Sequence, residues 1–290
     1  MSVSPTPSAE PTEPTERPEP AERGGPRRAR TSTQTRVVRT EQLTPHMVRV
    51  VLGGEALTAL DPTAFTDRYV KLQFPPEVEG QRERLRTYTI RSFDAAAGEL
   101  ALDFVIHGDE GLAGPWAAAA QPGDPMSFAG PGGAYAPSAA ADWHLFIGDE
   151  SALPAIAAAL EVLPAGARAK VFCEVGGPDD EQELVSAAQA CDADLITWVH
   201  RTSGGSPLVD TVTAWTFPEG TPEVFLHGDA GFVKDLRRHL RGDRGVPVSA
   251  LSASGYWRRG RTEEGWRSDK ASWKAAVDSD EAKLISAEQA

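Results

Sequence analysis

The chain has 290 residues, of which 40% are hydrophobic, and it carries a formal net charge of −13 at pH 7. It is long enough for two domains with a substantial core, and its acidic balance argues against a nucleic-acid partner. Cys173 and Cys191 are its two cysteines. Because the sequence has no CxxC pair or Cys/His cluster, we predict no iron–sulfur cluster, structural zinc or other metal site. Any redox chemistry then requires a bound organic cofactor.

The sequence contains no apolar run of the length needed to cross a bilayer, and its start does not resemble a signal peptide. We therefore expect a cytoplasmic protein with no membrane contact. Residues 1–32 are rich in Pro, Glu, Ser, Thr and Arg. Such a segment buries too little apolar surface to offset its chain entropy, so we predict a disordered tail.

Two patterns divide the rest of the chain. Residues 33–138 contain short strands separated by Gly, Pro and Asp turns, which predicts an antiparallel six-stranded barrel. Residues 139–258 alternate strands with helices, one of them over 184–190, which predicts an α/β domain with a parallel sheet of the nucleotide-binding type. Residues 259–290 are predicted to form a C-terminal helical extension.

The strand Arg84–Arg91 holds three arginines, a tyrosine and two threonines in eight residues. An aromatic ring, a hydroxyl group and nearby cations are the groups that hold a flavin dinucleotide. Tyr88 can lie against the flavin, Thr89 can bond its ring or ribityl edge, and Arg86 or Arg91 can neutralise the pyrophosphate. Taken alone, the strand is equally consistent with arginines that face only water.

A second candidate begins with Asp103 and continues through His107 to a glycine-rich stretch at Gly111–Trp116. Phe104 is expected to point into the barrel, and Asp103 and His107 away from it. Pro115 suits the first position of a helix, and the amides at a helix start bind anions. Taken alone, this stretch favours a surface histidine before an ordinary helix; beside the arginine strand, it favours phosphate binding.

Two strand-to-helix turns lie where open α/β sheets bind ligands, at Gly148–Ser151 and Gly228–Gly231. Neither carries the G-x-G-x-x-G fingerprint, and Asp149 and Glu150 would repel phosphate. The first turn therefore supports a transient nicotinamide site or a purely structural turn. After the last strand, Gly255–Arg261 combines two aromatic residues with three cations, a pattern that favours a substrate surface over a solvated basic stretch.

Together these motifs, with Gly130–Gly133, resemble the siderophore-interacting protein family of FAD-containing ferric-siderophore reductases, which is similar to the ferredoxin–NADP reductase group. The resemblance covers about residues 36–267 and departs from the family twice. Gly132 replaces the arginine of a G-P-R-G loop, and Gly228–Gly231 replaces a G-E-x-G turn.

The resemblance implies the roles of three sets of residues. The first set holds FAD and consists of Arg86, Thr87, Tyr88, Thr89, Arg91, Asp103, Val105, His107, Gly111, Ala113, Gly114 and Trp116. The second receives NAD(P)H and consists of Gly148, Asp149, Glu150, Ser151, Gly228 and Asp229. The third lines the substrate mouth and consists of Lys71, Tyr256, Trp257, Arg258, Arg259 and Arg261. No catalytic side chain is implied, since FAD carries the chemistry.

The implied activity is reduction of a ferric siderophore, with NADH, NADPH or a ferredoxin as electron donor, so that iron is released in the cytoplasm. Two alternatives stay open on the sequence. One is a general NAD(P)H-flavin or ferric reductase, or a reductase component that serves a protein acceptor. The other is a siderophore-binding protein without flavin, which the visible spectrum distinguishes.

Overall fold

A closed antiparallel barrel forms the first half of the chain. The computed structural model describes residues 32–80, 83–106, 111–164, 166–184, 195–202 and 206–288. Around the barrel the strands run in the order β1-β2-β5-β4-β3-β6. Their bounds are Ser32–Thr44 (β1), Met47–Gly53 (β2), Tyr69–Phe74 (β3), Arg84–Asp94 (β4), Glu99–Val105 (β5) and Pro125–Gly132 (β6).

Alternation of buried and outward residues builds this barrel. In β3, Val70, Leu72 and Phe74 are buried, while Tyr69 and Lys71 point outward. Such a period of two places every second side chain inside. A short helix, α1 (Ala113–Ala119), packs against β2 and β5 and closes one end of the barrel.

A parallel five-stranded sheet forms the second half, in the order β11-β10-β7-β8-β9. All seven residues of its central strand are buried, as expected for a parallel strand covered on both faces. The strands are Trp143–Asp149 (β7), Ala169–Val175 (β8), Ile196–His200 (β9), Pro222–Asp229 (β10) and Leu251–Trp257 (β11). The helices around it are Leu153–Val162 (α2), Leu208–Ala214 (α3) and Ala230–Arg238 (α4).

A final helix, α5 (Glu263–Glu288), contacts both halves. The Trp273 indole donates a hydrogen bond to the carbonyl oxygen of Ala230 at 3.0 Å. Asp280 lies 3.6 Å from the Lys234 ammonium group of α4. At its start, the same helix reaches the barrel strand β4 through carboxylates described below.

The predicted fold is confirmed, with two local corrections. The last strand, β11, continues to Trp257, so Gly255–Trp257 belongs to this strand and does not follow it. Helix α1 begins at Ala113, so Pro115 is its third residue and not its first. This position is tolerated because the first four N–H groups of a helix have no acceptor within it. Residues 1–31 of the predicted tail (1–32) and most of the predicted helix over 184–190 lie outside the described residues, whereas Ser32 already belongs to β1. In the described part of the chain, no helix combines the length and apolarity of a membrane span.

Candidate functional site

Strand β4 presents its two motif arginines to different partners. Arg86 is 4% exposed, and its Nε lies 2.7 Å from Glu263 and its Nη2 2.5 Å from Glu264 at the start of α5. The strand–helix contact therefore neutralises the guanidinium group that the motif assigns to a phosphate. Arg86 remains a predicted FAD contact, but one that has to share its charge with two carboxylates.

Tyr88 lies at the rim of an aromatic cluster on the barrel end that α1 closes. Its ring centroid is 4.2 Å from that of Phe104, with the planes tilted by 32°, and the Phe104 centroid is 5.5 Å from Trp116. Tyr88 is half-buried, with Phe104 supporting one face of its ring. The arrangement gives a flat ligand ring a rigid aromatic surface on which to stack.

Arg91 points toward the α/β half of the molecule. Its Nη2 lies 2.5 Å from Glu161 of helix α2. Burial lowers the pKa of Arg68, as does the nearby Arg91 charge, while Glu161 opposes the shift. The Arg68 Nε is a buried donor with no partner among the described residues. Arg68 and Arg91 carry two positive charges beside the single carboxylate of Glu161, so an anionic ligand can balance the remaining charge.

The start of α1 comes close to β5. A Cβ atom at Gly114 would lie 3.4 Å from the Val105 carbonyl oxygen, and Gly111 has φ +91°. Leu112 at the N-cap gives no side-chain bond to the first turn within the described structure. Of that turn, the Ala113 and Gly114 amides can bind a phosphate, since Pro115 has no N–H and the Trp116 amide donates to the Leu112 carbonyl oxygen. His107 lies outside the described residues.

Asp103 has an internal partner. Its two carboxylate oxygens accept hydrogen bonds from Arg49 Nε at 2.7 Å and Nη2 at 2.9 Å, across the β2–β5 ladder. This bidentate pair joins two barrel strands. Asp103 was predicted to contact FAD, and the structure gives its carboxylate a positioning role in the strand that leads to α1.

These residues fit a flavin dinucleotide. An aromatic stacking surface, the buried Thr89 hydroxyl, an orphaned Arg68 nitrogen and uncapped helix amides supply the contacts that its ring, ribityl chain and pyrophosphate require.

Asp149 organises the carboxyl edge of the parallel sheet. Its Oδ1 accepts from the Ser151 amide at 2.9 Å, and its Oδ2 accepts from the Asp229 amide and the Trp257 indole, each at 2.8 Å. Burial raises the pKa of Asp149 to about 6. The predicted NAD(P) residues Asp149, Ser151 and Asp229 are thus brought together, as parts of one buried network. Gly228 lies against it, because a Cβ there would approach Asp149 Oδ2 to 2.6 Å.

Glu150 is also engaged within the protein. Arg201, which follows β9, forms a bidentate ion pair with Glu150 and donates from Nε to Glu174 at 2.6 Å. Arg259 Nη2 lies 3.1 Å from the same Glu174 oxygen. Because both arginines neutralise this edge, the negative charge that the turn sequence suggests is compensated. Direct nicotinamide contacts from these side chains stay a prediction.

A buried histidine joins the neighbouring sheet strands β10 and β11 through its two ring nitrogens. The Tyr256 hydroxyl lies 2.8 Å from His227 Nδ1, and His227 Nε2 lies 2.9 Å from Ser252 Oγ. The Thr89 side chain of β4 lies near Tyr256, and burial raises the pKa of Tyr256. Burial lowers the pKa of His227 to about 3. The hydroxyl of Tyr256, predicted to line the substrate mouth, is therefore engaged with His227 of the neighbouring strand.

Cations gather on the surface near this histidine. Burial lowers the pKa of Lys270 in α5, and the neighbouring Lys71 of β3 lowers it further. The Lys71 ammonium group also lies 5.8 Å from the Tyr69 ring centroid. Arg258 is exposed and lines a cleft of about 510 Å³ between α4 and α5. Arg261 lines the same cleft and is 3.1 Å from Asp269.

The Tyr69 ring lies against Gly132, the position that departs from the family motif. A Cβ atom there would approach the Tyr69 ring to 2.7 Å, so an arginine would require this ring to move. Tyr69 fills the space that the missing side chain would need.

Sequence reasoning missed several of these residues. Glu174, Arg201, His227 and Lys270 occur without a recognisable motif, and each gains its role from neighbours on other elements. Arg68 stands out in the structure because its buried Nε has no partner among the described residues. For His227 one signal was present, since it is a polar residue inside the otherwise apolar run of β10.

Comparison with known sequences places this site in a family. The model of the siderophore-interacting FAD-binding domain matches residues 36–83 and 77–135, and the siderophore-interacting protein model matches residues 141–260. The chain belongs to the siderophore-interacting protein family. The predicted family, its FAD cofactor and its oxidoreductase class are thereby confirmed.

Relatives of this siderophore-interacting protein include an uncharacterized Mycobacterium tuberculosis protein, 48% identical over 80% of this chain and 92% of the relative. Ferric vibriobactin reductase ViuB of Vibrio cholerae is 30% identical, over 80% of this chain and 92% of its own. The NADPH-dependent ferric-chelate reductase of Escherichia coli is 32% identical, over 80% and 96%.

Solved structures agree with the fold. The siderophore-interacting protein SipS from Aeromonas hydrophila has a TM-score of 0.75 and 30% identity, covering 86% of this chain and 99% of its own. A ferredoxin–NADP+ reductase from Plasmodium falciparum shares the fold at a TM-score of 0.60 and 12% identity, over 78% and 96% of the two chains.

The ion pairs of Arg86 yield a prediction for this siderophore-interacting protein. The double variant Glu263→Gln and Glu264→Gln removes two competing anions, so FAD should bind about three- to tenfold more tightly, consistent with roughly 1 kcal/mol for partly exposed pairs. Fluorescence titration of the apoprotein measures the dissociation constant. Asp278→Asn, at an exposed position of the same helix, is the control. Unchanged or weaker binding would show that Arg86 does not hold the phosphates.

Proposed function

We propose that this siderophore-interacting protein uses FAD to reduce ferric siderophores, taking electrons from NAD(P)H and releasing Fe(II) in the cytoplasm. The observation that carries the proposal is the position of Tyr88 and Thr89. They lie on β4 at the aromatic barrel end, on the same strand as Arg91, which pairs with Glu161 of helix α2. The names of the Vibrio and Escherichia relatives support ferric chelates as substrates and NADPH as a donor.

The chemistry of the cofactor suits this acceptor, since a bound flavin accepts a hydride and passes on single electrons. Siderophores hold Fe(III) through oxygen ligands and hold Fe(II) far more weakly, so reduction is sufficient for release. The protein therefore needs no metal ligands of its own. Among the described residues, no group of three or more His, Cys, Asp or Glu side chains is placed to hold a metal.

Each part of the site then has a defined task. The aromatic cluster at Tyr88 stacks and orients the flavin ring, the amides of α1 and the arginines of β4 and its neighbourhood neutralise the pyrophosphate, and Thr89 binds the ring edge. The sheet end around Asp149 forms a rigid wall where the nicotinamide docks. Its docking would rely on backbone groups of the Gly148 and Gly228 turns, because the acidic side chains are bonded internally.

The cations around Lys71, Lys270 and Arg258 form the proposed substrate mouth. Ferric complexes of catecholate siderophores are anionic, and exposed positive charge accelerates their encounter with the protein. Trp257 and Arg259 were predicted here too, but their side chains bond Asp149 and Glu174. We propose that Trp257 and Arg259 hold the side of the substrate mouth in place and do not bind the substrate themselves.

Reduction and reoxidation in two separate steps test this function. Purified holoprotein should be yellow, should bleach on mixing with NADPH or NADH, and should recover its absorbance on addition of a ferric siderophore. A chelator of Fe(II) should then turn coloured in step. A protein that neither retains nor takes up FAD, or whose bleached flavin ignores ferric siderophores, would overturn the proposal.

Charge reversal at the mouth gives a quantitative prediction. Arg258→Glu should lower kcat/KM for an anionic ferric siderophore by about tenfold and for a neutral one much less, because one attractive charge becomes repulsive. Arg36→Glu reverses an exposed arginine on β1 and serves as the matched control. Equal losses for the anionic and neutral substrates would remove Arg258 from the mouth.

A further inference from the structure

We propose that the Tyr69 ring forms a subsite of the substrate mouth that binds an aryl iron-chelating group, a catecholate or a phenolate, of the ferric siderophore. The inference rests on the proposed function, because it names the substrate class of that same site. The ring occupies the space into which a side chain at Gly132 would project, the position where the family motif has an arginine.

Tyr69 begins strand β3 and lies opposite Gly132 of β6 in the antiparallel register. A Cβ atom at Gly132 would meet Tyr69 Cζ and Oη at 2.7 Å and Cε1 at 3.1 Å. Because Gly132 has no side chain, the ring can lie against β6 and stay partly exposed on the outward face of β3. The barrel rim thus presents an aromatic surface where an arginine would present a cation.

Strand β3 pairs with β4, which carries the predicted flavin contacts. In this register Tyr69 lies opposite Thr89, and Lys71 lies opposite Thr87. Directly opposite residues project from the same face of a sheet, and neighbouring strands are roughly 5 Å apart. A chelate bound on Tyr69 therefore lies beside the strand that is predicted to hold FAD, as electron transfer to its iron requires.

Positive charge adjoins the ring. The Lys71 ammonium group is 5.8 Å from the Tyr69 ring centroid, within the range of a cation–π contact. Burial and the charge of Lys71 lower the pKa of Lys270 in α5, so a second ammonium group is close to the first. An anionic aryl chelate meets both an aromatic surface and cations here. An aliphatic hydroxamate chelate has no ring to stack.

Binding of gallium(III) complexes to the FAD-loaded protein tests the subsite without electron transfer, because Ga(III) takes the ligands of Fe(III) and is not reduced by a flavin. The two probes are the Ga(III) complexes of a tris-catecholate and of a tris-hydroxamate siderophore, each titrated by calorimetry. Tyr69→Ala should weaken binding of the first by about three- to tenfold, as for loss of one aromatic pair, and of the second by less than about twofold. The variant leaves every charge in place, so the difference reports the ring.

Three further variants separate the ring from its surroundings. Tyr69→Phe keeps the ring and should bind both probes within about twofold of wild type. Gly132→Ala keeps every aromatic atom but forces the ring to move, so it should weaken the tris-catecholate complex in the same sense as Tyr69→Ala. Gln73→Ala changes the outward position that follows Lys71 on β3 and should alter neither affinity.

A ring that only packs on Gly132 would change the melting temperature of Tyr69→Ala and would weaken both probes equally or not at all. Either of these binding results overturns the subsite. Loss of FAD from Tyr69→Ala would assign the ring to the cofactor and overturn the subsite as well. A shifted ratio of the two affinities, in a protein whose reduced flavin does not pass electrons to ferric siderophores, would support the subsite and overturn the proposed function.

Discussion

Replacing Tyr88 by alanine is expected to weaken FAD binding by about tenfold or more. Stacking on an aromatic side chain contributes roughly 1–3 kcal/mol per ring, and 1.4 kcal/mol corresponds to a factor of ten in the dissociation constant. The ring that disappears is the one supported at 4.2 Å by Phe104, so no neighbour can replace it without repacking the barrel end. Titration of apoprotein with FAD, followed by flavin fluorescence, measures the change.

Two controls separate stacking from loss of structure. Tyr88→Phe keeps the ring and should bind FAD within about threefold of wild type, because the hydroxyl contributes little to stacking. Arg84→Ala removes a cation from the same strand whose Nε donates to the Pro75 carbonyl oxygen, outside the predicted site. Wild-type affinity in a folded Tyr88→Ala variant would remove Tyr88 from the flavin site.

Acid should destabilise the protein through His227. Its pKa is about 3 in the folded chain, against 6.5 for an ordinary histidine, because burial disfavours the charged ring. A depressed pKa contributes stability that is present above pH 6.5 and is lost as the pH falls toward 3, where the unfolded chain binds the extra proton. At pH 4 the loss amounts to about 3 kcal/mol at 1.36 kcal/mol per pKa unit.

Asp149 changes the free energy of unfolding with pH in the opposite direction from His227. Its pKa is raised to about 6 from 3.8, so its protonation stabilises the folded state as the pH falls below 6. In wild type the two effects partly cancel. The variant His227→Gln removes the His227 effect, because an amide side chain does not titrate. The amide can still accept a hydrogen bond from Tyr256 and donate one to Ser252.

Urea unfolding of wild type and His227→Gln at pH 7 and pH 4 measures this contribution. The free energy of unfolding should fall by about 3 kcal/mol more in wild type than in the variant, since the other titrating groups cancel in the difference. Equal pH dependence in both proteins would mean that His227 takes up its proton without unfolding.

The fold was predictable because its signals are local. In Tyr69–Phe74, alternating apolar and polar residues predict a barrel strand with one face in the core and one face outward. In Trp143–Asp149, the apolar run predicts a parallel strand that is buried on both faces. The β4 motif was equally local, since its ring, hydroxyl and cations are neighbours in sequence. The start of α1 was not predicted, because a proline is tolerated anywhere in the first turn, and neither was the continuation of β11 to Trp257.

The partners of the site residues were not predictable, because they are contacts between distant segments. Arg86 meets Glu264 from 178 residues away, and the Trp257 indole bonds Asp149 from 108 residues away. A sequence shows that Arg86 and Asp149 are charged but not whether a neighbour neutralises that charge. Substrate and nicotinamide residues were therefore predicted as exposed groups, and several of them turned out to be joined to each other.

Helix α5 has a mechanical consequence for how a bulky chelate can enter. At one end it is bonded to β4 of the barrel through Arg86, and further along it is bonded to α4 through Trp273 and Asp280. Because a helix is stiff over this length, α5 holds the barrel and the sheet at a fixed distance and angle. The two halves cannot swing apart about their connecting segment while both attachments hold. Substrate access must then come from movement of side chains and loops at the rim.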